Sequence, residues 1–104
     1  AHLRRGSRWA DDPAAQEAMK RKVPQNVADC FELIETAFFR GPWVMGEAYS
    51  VADPYLFTLS QWLAADGVEI ARFPKVAAHA ERMQARPAVQ VALAREAAAA
   101  ARAA

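Results

Sequence analysis

The sequence predicts an all-α domain, and three observations support this prediction. Apolar residues recur at steps of three and four over long stretches, as they do on one face of a helix. Aspartate, serine, proline and glycine stand where helices begin and end. No stretch of useful length alternates between apolar and polar residues, as half-buried strands do. We therefore expect one bundle of about five helices, with a kinked long helix and a buried central helix.

The composition limits the classes of protein to which the chain can belong. It has 104 residues, enough for one domain with one core. Its formal net charge is +1, so neither nucleic acid nor a membrane surface is expected as a partner. The single cysteine, Cys30, cannot form an internal disulfide, which fits a cytoplasmic location. No apolar run reaches the roughly 18 residues that a membrane-spanning helix requires.

The first helices are predicted from their start and stop signals. Residues 1–9 are interpreted as the end of a helix whose beginning is missing. The long helix begins after Asp12, because an aspartate N-cap followed by Pro13 is a helix start signal. Pro24 should kink this helix or divide it into two. Arg40, Gly41 and Pro42 should end it.

The long helix should bury one apolar stripe. The residues that form this stripe are Met19, Val23, Val27, Cys30, Phe31, Ile34, Ala37 and Phe38. Because Cys30 lies on the stripe, we interpret it as a small core residue and not as a nucleophile.

Ser50 and Asp53 are predicted to form a capping box at the start of the central helix. The Ser50 hydroxyl would accept a hydrogen bond from the Asp53 N–H, and the Asp53 carboxylate would accept one from the Ser50 N–H. The helix would run from Val51 to about Asp66, with Gly67 as its stop. Its residues are apolar nearly all round, so it should be buried. Because the capping box explains both the position and the partner of Asp53, we assign this carboxylate to folding and not to catalysis.

Two further helices are predicted to begin at Pro74 and Pro87. The residues expected on their inner faces are Val76, Ala77, Ala80 and Met83, then Val91 and Leu93. His79 lies among alanines and charged residues, so we interpret it as a surface residue with no metal role. No metal site is predicted anywhere in the chain. The alanine-rich carboxyl end should fray.

Two stretches resemble the C-terminal domain of glutathione S-transferases, in particular bacterial beta-class-like members. Residues 46–57 read Gly-Glu-Ala-Tyr-Ser-Val-Ala-Asp-Pro-Tyr-Leu-Phe. Residues 73–90 read Phe-Pro-Lys-Val-Ala-Ala-His-Ala-Glu-Arg-Met-Gln-Ala-Arg-Pro-Ala-Val-Gln. The resemblance extends from about Asp12 to about Leu93. It implies the helical bundle of that family, formed here by residues 1–104 as a single domain.

The resemblance also implies how the whole protein works. A thioredoxin-like domain would precede this one in the same chain, bind the co-substrate glutathione and lower the pKa of its thiol. The thiolate would then attack a hydrophobic electrophile. The 104 residues would provide part of the electrophile site and a homodimer surface. They would hold no catalytic residue, so we expect the fragment alone to be inactive.

Tyr55 and Trp62 are candidate substrate-binding residues. They are seven residues apart, so on a continuous helix they share one face. Two interpretations stay open. Both can be core aromatics, as on any apolar helix, or both can line the electrophile pocket, as the resemblance implies.

The amino-terminal cluster of basic and aromatic residues also has two interpretations. It can be a solvated helix face, or it can border the cleft between the two domains, as the resemblance implies. His2 matches a histidine that contacts glutathione in beta-class-like members, whereas Leu3 departs from the lysine that follows it. Arg4 or Arg5 could supply the missing cation to glutathione, and Arg5 and Trp9 could line the substrate site.

Two alternatives to a transferase remain. The first is another glutathione-dependent enzyme on the same scaffold, such as an isomerase, dehalogenase or peroxidase. The second is a non-catalytic interaction module, because similar helical domains are attached to translation factors and aminoacyl-tRNA synthetases. The residues upstream of Ala1 would distinguish an enzyme from a module.

Overall fold

The computed structural model of the chain describes residues 2–104, and within them the fold is all-α, as the sequence predicts. Four α-helices follow one another: α1 (Pro13–Leu33), α2 (Ala52–Ser60), α3 (Pro74–Gln84) and α4 (Pro87–Ala103). In this part of the chain, no helix combines the length and the apolar character that crossing a membrane requires.

The amino-terminal segment is not the helix end that the sequence predicts. Residues 2–4 form a turn, and a short 3-10 helix, Gly6–Arg8, follows. Gly6 is buried, and a side chain there would begin 3.4 Å from the side chain of Gln16. The Gln16 amide in turn donates to the Ala10 carbonyl at 2.8 Å. The segment therefore folds back against the start of α1.

Helix α1 begins where the sequence predicts. Asp12 is its N-cap, and the carboxylate accepts a hydrogen bond from the Ala14 N–H at 3.0 Å. Pro13 is the first helical residue. The helix continues through Pro24 to Leu33, so Pro24 does not divide it into two helices.

Only part of the predicted apolar stripe of α1 is buried. Ala28 and Phe31 lie in the core, and Val27 packs against them. Cys30 is exposed, so its prediction as a core residue is wrong. Residues two apart point about 160° from each other around a helix, so Cys30 faces away from Ala28, which lies in the core. Phe38, at the end of the predicted stripe, is 51% exposed.

A π-helical turn, Ile34–Phe38, ends the long helix before the predicted stop at Arg40. This turn carries Glu35, whose carboxylate accepts hydrogen bonds from the N–H groups of Lys75 at 2.8 Å and Val76 at 3.0 Å. Both N–H groups belong to the first turn of α3, which has no side-chain cap from its own N-cap residue. Glu35 therefore caps a distant helix, and its charge faces the positive end of the helix dipole.

Helix α2 ends at Ser60, earlier than the predicted end near Asp66. The Ser60 hydroxyl donates to the Phe57 carbonyl at 2.8 Å. The Trp62 N–H then bonds the Leu59 carbonyl, three residues back, at 3.1 Å. The chain after Ser60 forms turns in which hydrogen bonds over three residues alternate with bonds over four, so the regular α-helix does not continue.

Gly67 ends these turns, as the sequence predicts. Its φ is 81°, a conformation that glycine adopts without strain. The Val68 N–H bonds the Leu63 carbonyl at 2.9 Å, and the Gly67 N–H bonds the Ala64 carbonyl at 3.1 Å, which together form a Schellman motif. A side chain at Gly67 would also begin 3.2 Å from the Pro24 ring, so this position requires glycine for two reasons.

Two clusters of buried side chains form the core. The first joins α1, α2, α3 and the connector between α2 and α3 through Ala28, Phe31, Leu56, Leu63, Val68, Phe73 and Val76. The second consists of Phe57, Ala80 and Met83, and Val89 and Leu93 of α4 pack against it. Val91, which is also predicted to pack, is 50% exposed. It lies two residues from both Val89 and Leu93, so it points to the opposite side of the helix.

We predict that Glu35→Ala lowers the free energy of unfolding by about 1–2 kcal/mol, because two N–H groups of α3 lose their acceptor. Urea denaturation of both proteins measures the difference. Glu32→Ala removes an exposed carboxylate from the preceding turn and is the matched control. Equal losses in the two variants would contradict the capping role of Glu35.

Candidate binding site

A cavity at the amino-terminal end of the fold brings three of the predicted site residues together. Arg4, Arg5 and Trp62 line it, with Leu3 and Asp66, and its volume is about 380 Å³. Trp62 lies in the turns after α2 and is 56% exposed, so its indole ring is accessible to a ligand. Two guanidinium groups beside an indole can bind a carboxylate and an apolar group of one molecule.

His2 and Trp9 form a pair next to this cavity. Their rings stack with centroids 4.5 Å apart and planes 30° from parallel. His2 lines a second cavity of about 310 Å³, and Leu3 lines both cavities. The structure therefore places the predicted glutathione-binding residues His2 and Arg4 in neighbouring cavities and not in the same one.

Tyr55 lines a cavity that Trp62 does not line. It is 71% exposed and lines a third cavity of about 390 Å³ with Phe38, Val51 and Leu59. The shared face assumed a continuous helix, but α2 ends before Trp62. The exposure of both rings also shows that neither is a core aromatic.

The carboxylate of Asp53 joins three segments of the chain at the centre of the fold. One oxygen, Oδ2, accepts a hydrogen bond from the Ser50 N–H at 2.8 Å. The other, Oδ1, accepts one from the Val44 N–H at 2.9 Å and lies 2.9 Å from Nε2 of His79. Asp53 and His79 are both 0% exposed. The loop before α2, the start of α2 and the middle of α3 are thus held by one side chain.

The Ser50 hydroxyl does not accept the predicted hydrogen bond from the Asp53 N–H. It accepts one from the Ala52 N–H at 3.3 Å. The Asp53 N–H instead donates to the main-chain carbonyl of Ser50 at 3.1 Å. Two N–H groups of the first turn are satisfied, one by the side chain and one by the backbone of Ser50.

His79 is buried, so its prediction as a surface residue is wrong. It lies three residues after Val76 and four before Met83, both fully buried, which places it on the inner face of α3. Histidine does not count as an apolar residue, so the helical spacing of apolar residues does not mark His79 as buried. The rings of Phe39 and Trp43 meet the imidazole edge-on, with centroids 5.5 and 6.1 Å away.

The hydrogen bonds of Asp53 decide its charge. Burial alone would raise the pKa of the carboxyl, but the N–H groups of Val44 and Ser50 and the imidazole of His79 stabilise the charged form and outweigh burial. The pKa of Asp53 therefore lies below its ordinary value of 3.8. An ionised carboxylate can only accept, so Nε2 of His79 carries the hydrogen between them. Nδ1 of His79 has no hydrogen-bond partner among residues 2–104.

The candidate residues differ in whether a ligand can reach them. The buried pair of Asp53 and His79 cannot touch a substrate without the fold opening. No group of three or more histidine, cysteine, aspartate or glutamate side chains in residues 2–104 is arranged to hold a metal ion. The exposed Arg4, Arg5 and Trp62 can recognise a ligand but include no group suited to act as a general base at neutral pH.

Three comparisons with known proteins point to the same protein family. The family model for the glutathione S-transferase C-terminal domain matches residues 4–96. Glutathione S-transferase GstA of Escherichia coli O157:H7 is 31% identical over 84 residues, which are 81% of this chain and 42% of that protein. The crystal structure of a glutathione transferase homolog from Sulfitobacter, with bound glutathione, matches with a TM-score of 0.88 at 42% identity, over 92% of this chain and 52% of that one. The chain spans about half the length of these relatives.

We predict that the stabilisation by the Asp53 charge depends on pH. Because the pKa of Asp53 in the folded chain is below 3.8, this stabilisation is fully present above that pH and is lost as the pH falls through the folded value. Urea denaturation of the parent and Asp53→Asn at several pH values should show the largest difference at neutral pH, and the difference should shrink as the pH falls below 3.8. Glu47→Gln, which removes an exposed carboxylate, is the control. A difference that does not change with pH would show that Asp53 has no depressed pKa.

Proposed function

Because the chain belongs to the glutathione S-transferase C-terminal domain family, we propose that it is the helical domain of an enzyme that conjugates glutathione to hydrophobic electrophiles. The cavity of Arg4, Arg5 and Trp62 is the observation that carries this proposal. Glutathione has two carboxylates, for which guanidinium groups are suitable partners. An electrophile with an apolar body would contact the accessible indole.

The catalytic step needs groups that these residues do not supply. A preceding thioredoxin-like domain would bind most of the glutathione molecule and lower the pKa of its thiol. The thiolate sulfur would attack the electrophilic carbon beside Trp62, and the leaving group would depart with its electron pair. The helical domain would contribute by holding the two reactants close together.

The amino-terminal residues divide between the two reactants in this proposal. Arg4 and His2 would face glutathione, while Arg5, Trp9 and Trp62 would border the electrophile. The relative from Sulfitobacter was crystallised with glutathione bound, which supports a glutathione site in the family fold. Leu3 cannot donate a hydrogen bond through its side chain, so Arg4 is the nearest cation that can replace a lysine at that position.

The exposed apolar surface around Tyr55 suits contact with the rest of the protein. Val51 is 87% exposed and Phe38 is 51% exposed beside it. Burying such side chains is favourable, at roughly 25 cal/mol per Å² of apolar surface. We therefore place the thioredoxin-like domain against this surface. In this arrangement Tyr55 affects electrophile binding less directly than Trp62, although the sequence predicts the same role for both residues.

The exposed face of α1 suits a homodimer. Arg21 and Lys22 lie toward its amino-terminal end, and Asp29 and Glu32 toward its carboxyl end, with Gln25 between them. All are exposed, and the steps of three and four residues place Arg21, Gln25, Asp29 and Glu32 on one side of the helix. If two copies pair antiparallel about Gln25, Arg21 of each copy faces Asp29 of the other. A two-fold interface requires this kind of self-complementary pattern.

For the transferase activity, we predict that Trp62→Ala in the full-length protein raises the KM for an aryl halide about tenfold, because an apolar contact is lost. Arg4→Met should raise the KM for glutathione by a similar factor. Tyr55→Ala should change the KM for the aryl halide by less than about threefold. Steady-state kinetics with each substrate varied in turn measures all three effects.

The control for the activity experiment is Arg8→Met, because Arg8 is an exposed arginine that does not line the cavity. Loss of activity in Arg8→Met equal to that in Arg4→Met would argue against the assigned cavity. A folded full-length protein that neither binds glutathione nor turns it over would refute the transferase proposal.

For the dimer, we predict that Asp29→Arg weakens self-association of the full-length protein about tenfold. The change replaces two symmetric attractions by repulsions, each worth up to about 1 kcal/mol at an exposed site. The double variant Arg21→Asp with Asp29→Arg should restore association. Sedimentation velocity measures the dissociation constants, and Glu96→Arg on α4 is the control for charge alone. Failure of the double variant to recover would contradict the antiparallel pairing.

A further inference from the structure

Positive charge is in excess in the cavity of Arg4, Arg5 and Trp62. Two guanidinium groups line this cavity, and Asp66 provides the one carboxylate in its lining. No ion pair within residues 2–104 includes Arg4, Arg5 or Asp66. Both guanidinium groups therefore keep N–H groups that a ligand in the cavity can bind.

The backbone of Arg5 is anchored, whereas its side chain is exposed. Arg5 directly precedes the 3-10 helix, and its carbonyl accepts a hydrogen bond from the Arg8 N–H at 3.0 Å. The next residue, Gly6, is buried. The exposed side chain of Arg5 lines the cavity together with the indole of Trp62. The guanidinium therefore extends from a fixed point of the chain and is accessible to a ligand.

Glutathione accounts for only one of the two arginines in the proposed function. Its two carboxylates lie at opposite ends of the tripeptide, whereas Arg4 and Arg5 are consecutive residues with Cα atoms about 3.8 Å apart. The thioredoxin-like domain would bind most of the glutathione molecule, which leaves one carboxylate for Arg4. An electrophile against the indole of Trp62 would then meet the guanidinium of Arg5.

A neutral electrophile would leave Arg5 without a partner. An apolar body in the cavity displaces water from the guanidinium and offers no hydrogen-bond acceptor in return, which is unfavourable. An electrophile that carries a carboxylate would supply the acceptor, in a charge-assisted pair that can be bidentate. The exposed amide of Gln61 lines the same cavity and can donate one more hydrogen bond to an anionic group.

We propose that the preferred electrophile is an aromatic compound with a negatively charged group, and that Arg5 selects it. The ring lies against the indole of Trp62, and the anionic group pairs with the guanidinium of Arg5. This inference rests on the proposed transferase function and narrows its substrate class to anionic electrophiles. Arg5 is then a specificity-determining residue, whose effect depends on the charge of the electrophile.

Conjugation of glutathione to 4-chloro-3-nitrobenzoate and to 4-chloro-3-nitrobenzamide by the full-length protein tests the proposal. In both reactions the thiolate sulfur bonds to the ring carbon that carries chlorine, and chloride leaves with its electron pair. The two probes differ in charge. Division of each kcat/KM by the rate constant of the uncatalysed reaction corrects for their different reactivity. The parent should favour the benzoate about fivefold, the upper end for a charge pair at an exposed site.

Matched variants separate the two arginines of the cavity. Arg5→Met should abolish the preference for the benzoate, and Arg5→Lys should retain part of it because the charge remains. Arg4→Met should raise the KM for glutathione with either probe and leave the preference unchanged. Arg8→Met removes an exposed arginine that does not line the cavity, so it should change neither quantity.

Three results would overturn this inference while the transferase proposal stands. The first is conjugation of both probes by the parent with equal corrected kcat/KM. The second is a preference for the benzoate that survives in Arg5→Met. The third is a raised KM for glutathione in Arg5→Met with the preference unchanged, which would assign Arg5 to the second carboxylate of glutathione. A folded protein that neither binds glutathione nor conjugates either probe would refute the transferase proposal, and this inference with it.

Discussion

One buried carboxylate, that of Asp53, holds the fold together at the point where its segments meet. It accepts hydrogen bonds from the loop at Val44, from the start of α2 at Ser50 and from α3 at His79. A buried carboxylate is costly unless hydrogen-bond donors contact its oxygens, and here three donors share the two oxygens. The same bonds lower the pKa of the carboxyl, so the charge is kept at neutral pH. The positions of these three segments therefore depend on one another.

The positions of Trp62 and Arg86 follow from this arrangement. Asp53 holds the start of α2, and the tight turns after Ser60 carry Trp62 to the amino-terminal cavity, beside Arg4 and Arg5. The same carboxylate holds the loop that contains Trp43, whose ring meets both His79 and Tyr49. Tyr49 then supports the guanidinium of Arg86. Trp62 and Arg86 consequently both follow elements that the Asp53 carboxylate connects.

Much of the fold follows from local sequence signals. The helix starts at Pro13, Pro74 and Pro87 and the stop at Gly67 are local, because each depends on residues within one turn of the chain. The Asp53 carboxylate bond to the Ser50 N–H belongs to the same class. Such a pattern does not depend on residues that are distant in the sequence, so it can be predicted from the sequence alone.

The missed features depend on contacts between distant residues. Glu35 caps α3 from a π-helical turn, and no local pattern shows that a carboxylate will reach N–H groups 40 residues away. His79 is buried because Asp53 provides a partner, 26 residues distant, that makes burial of an imidazole favourable. The exposure of Cys30 and Val91 shows a further limit, since an apolar residue at helical spacing need not face the core.

The candidate site was predictable in its residue types but not in its grouping. Arg4, Arg5 and Trp62 share one cavity, whereas Tyr55 lines another. Helix α2 ends between these two residues, at Ser60, where a serine hydroxyl bonds a carbonyl of the preceding turn. Serine occurs both inside and at the ends of helices, so its presence did not mark this end.

A double-mutant cycle between Asp53 and His79 tests the central claim most directly. The free energies of unfolding of the parent, Asp53→Asn, His79→Phe and the double variant would be measured in urea at neutral pH. If the pair joins α2 to α3, the double variant should lose less stability than the sum of the single losses, by about 1 kcal/mol or more. Additivity of the two losses within about 0.3 kcal/mol would contradict the account, because the two side chains would then contribute independently.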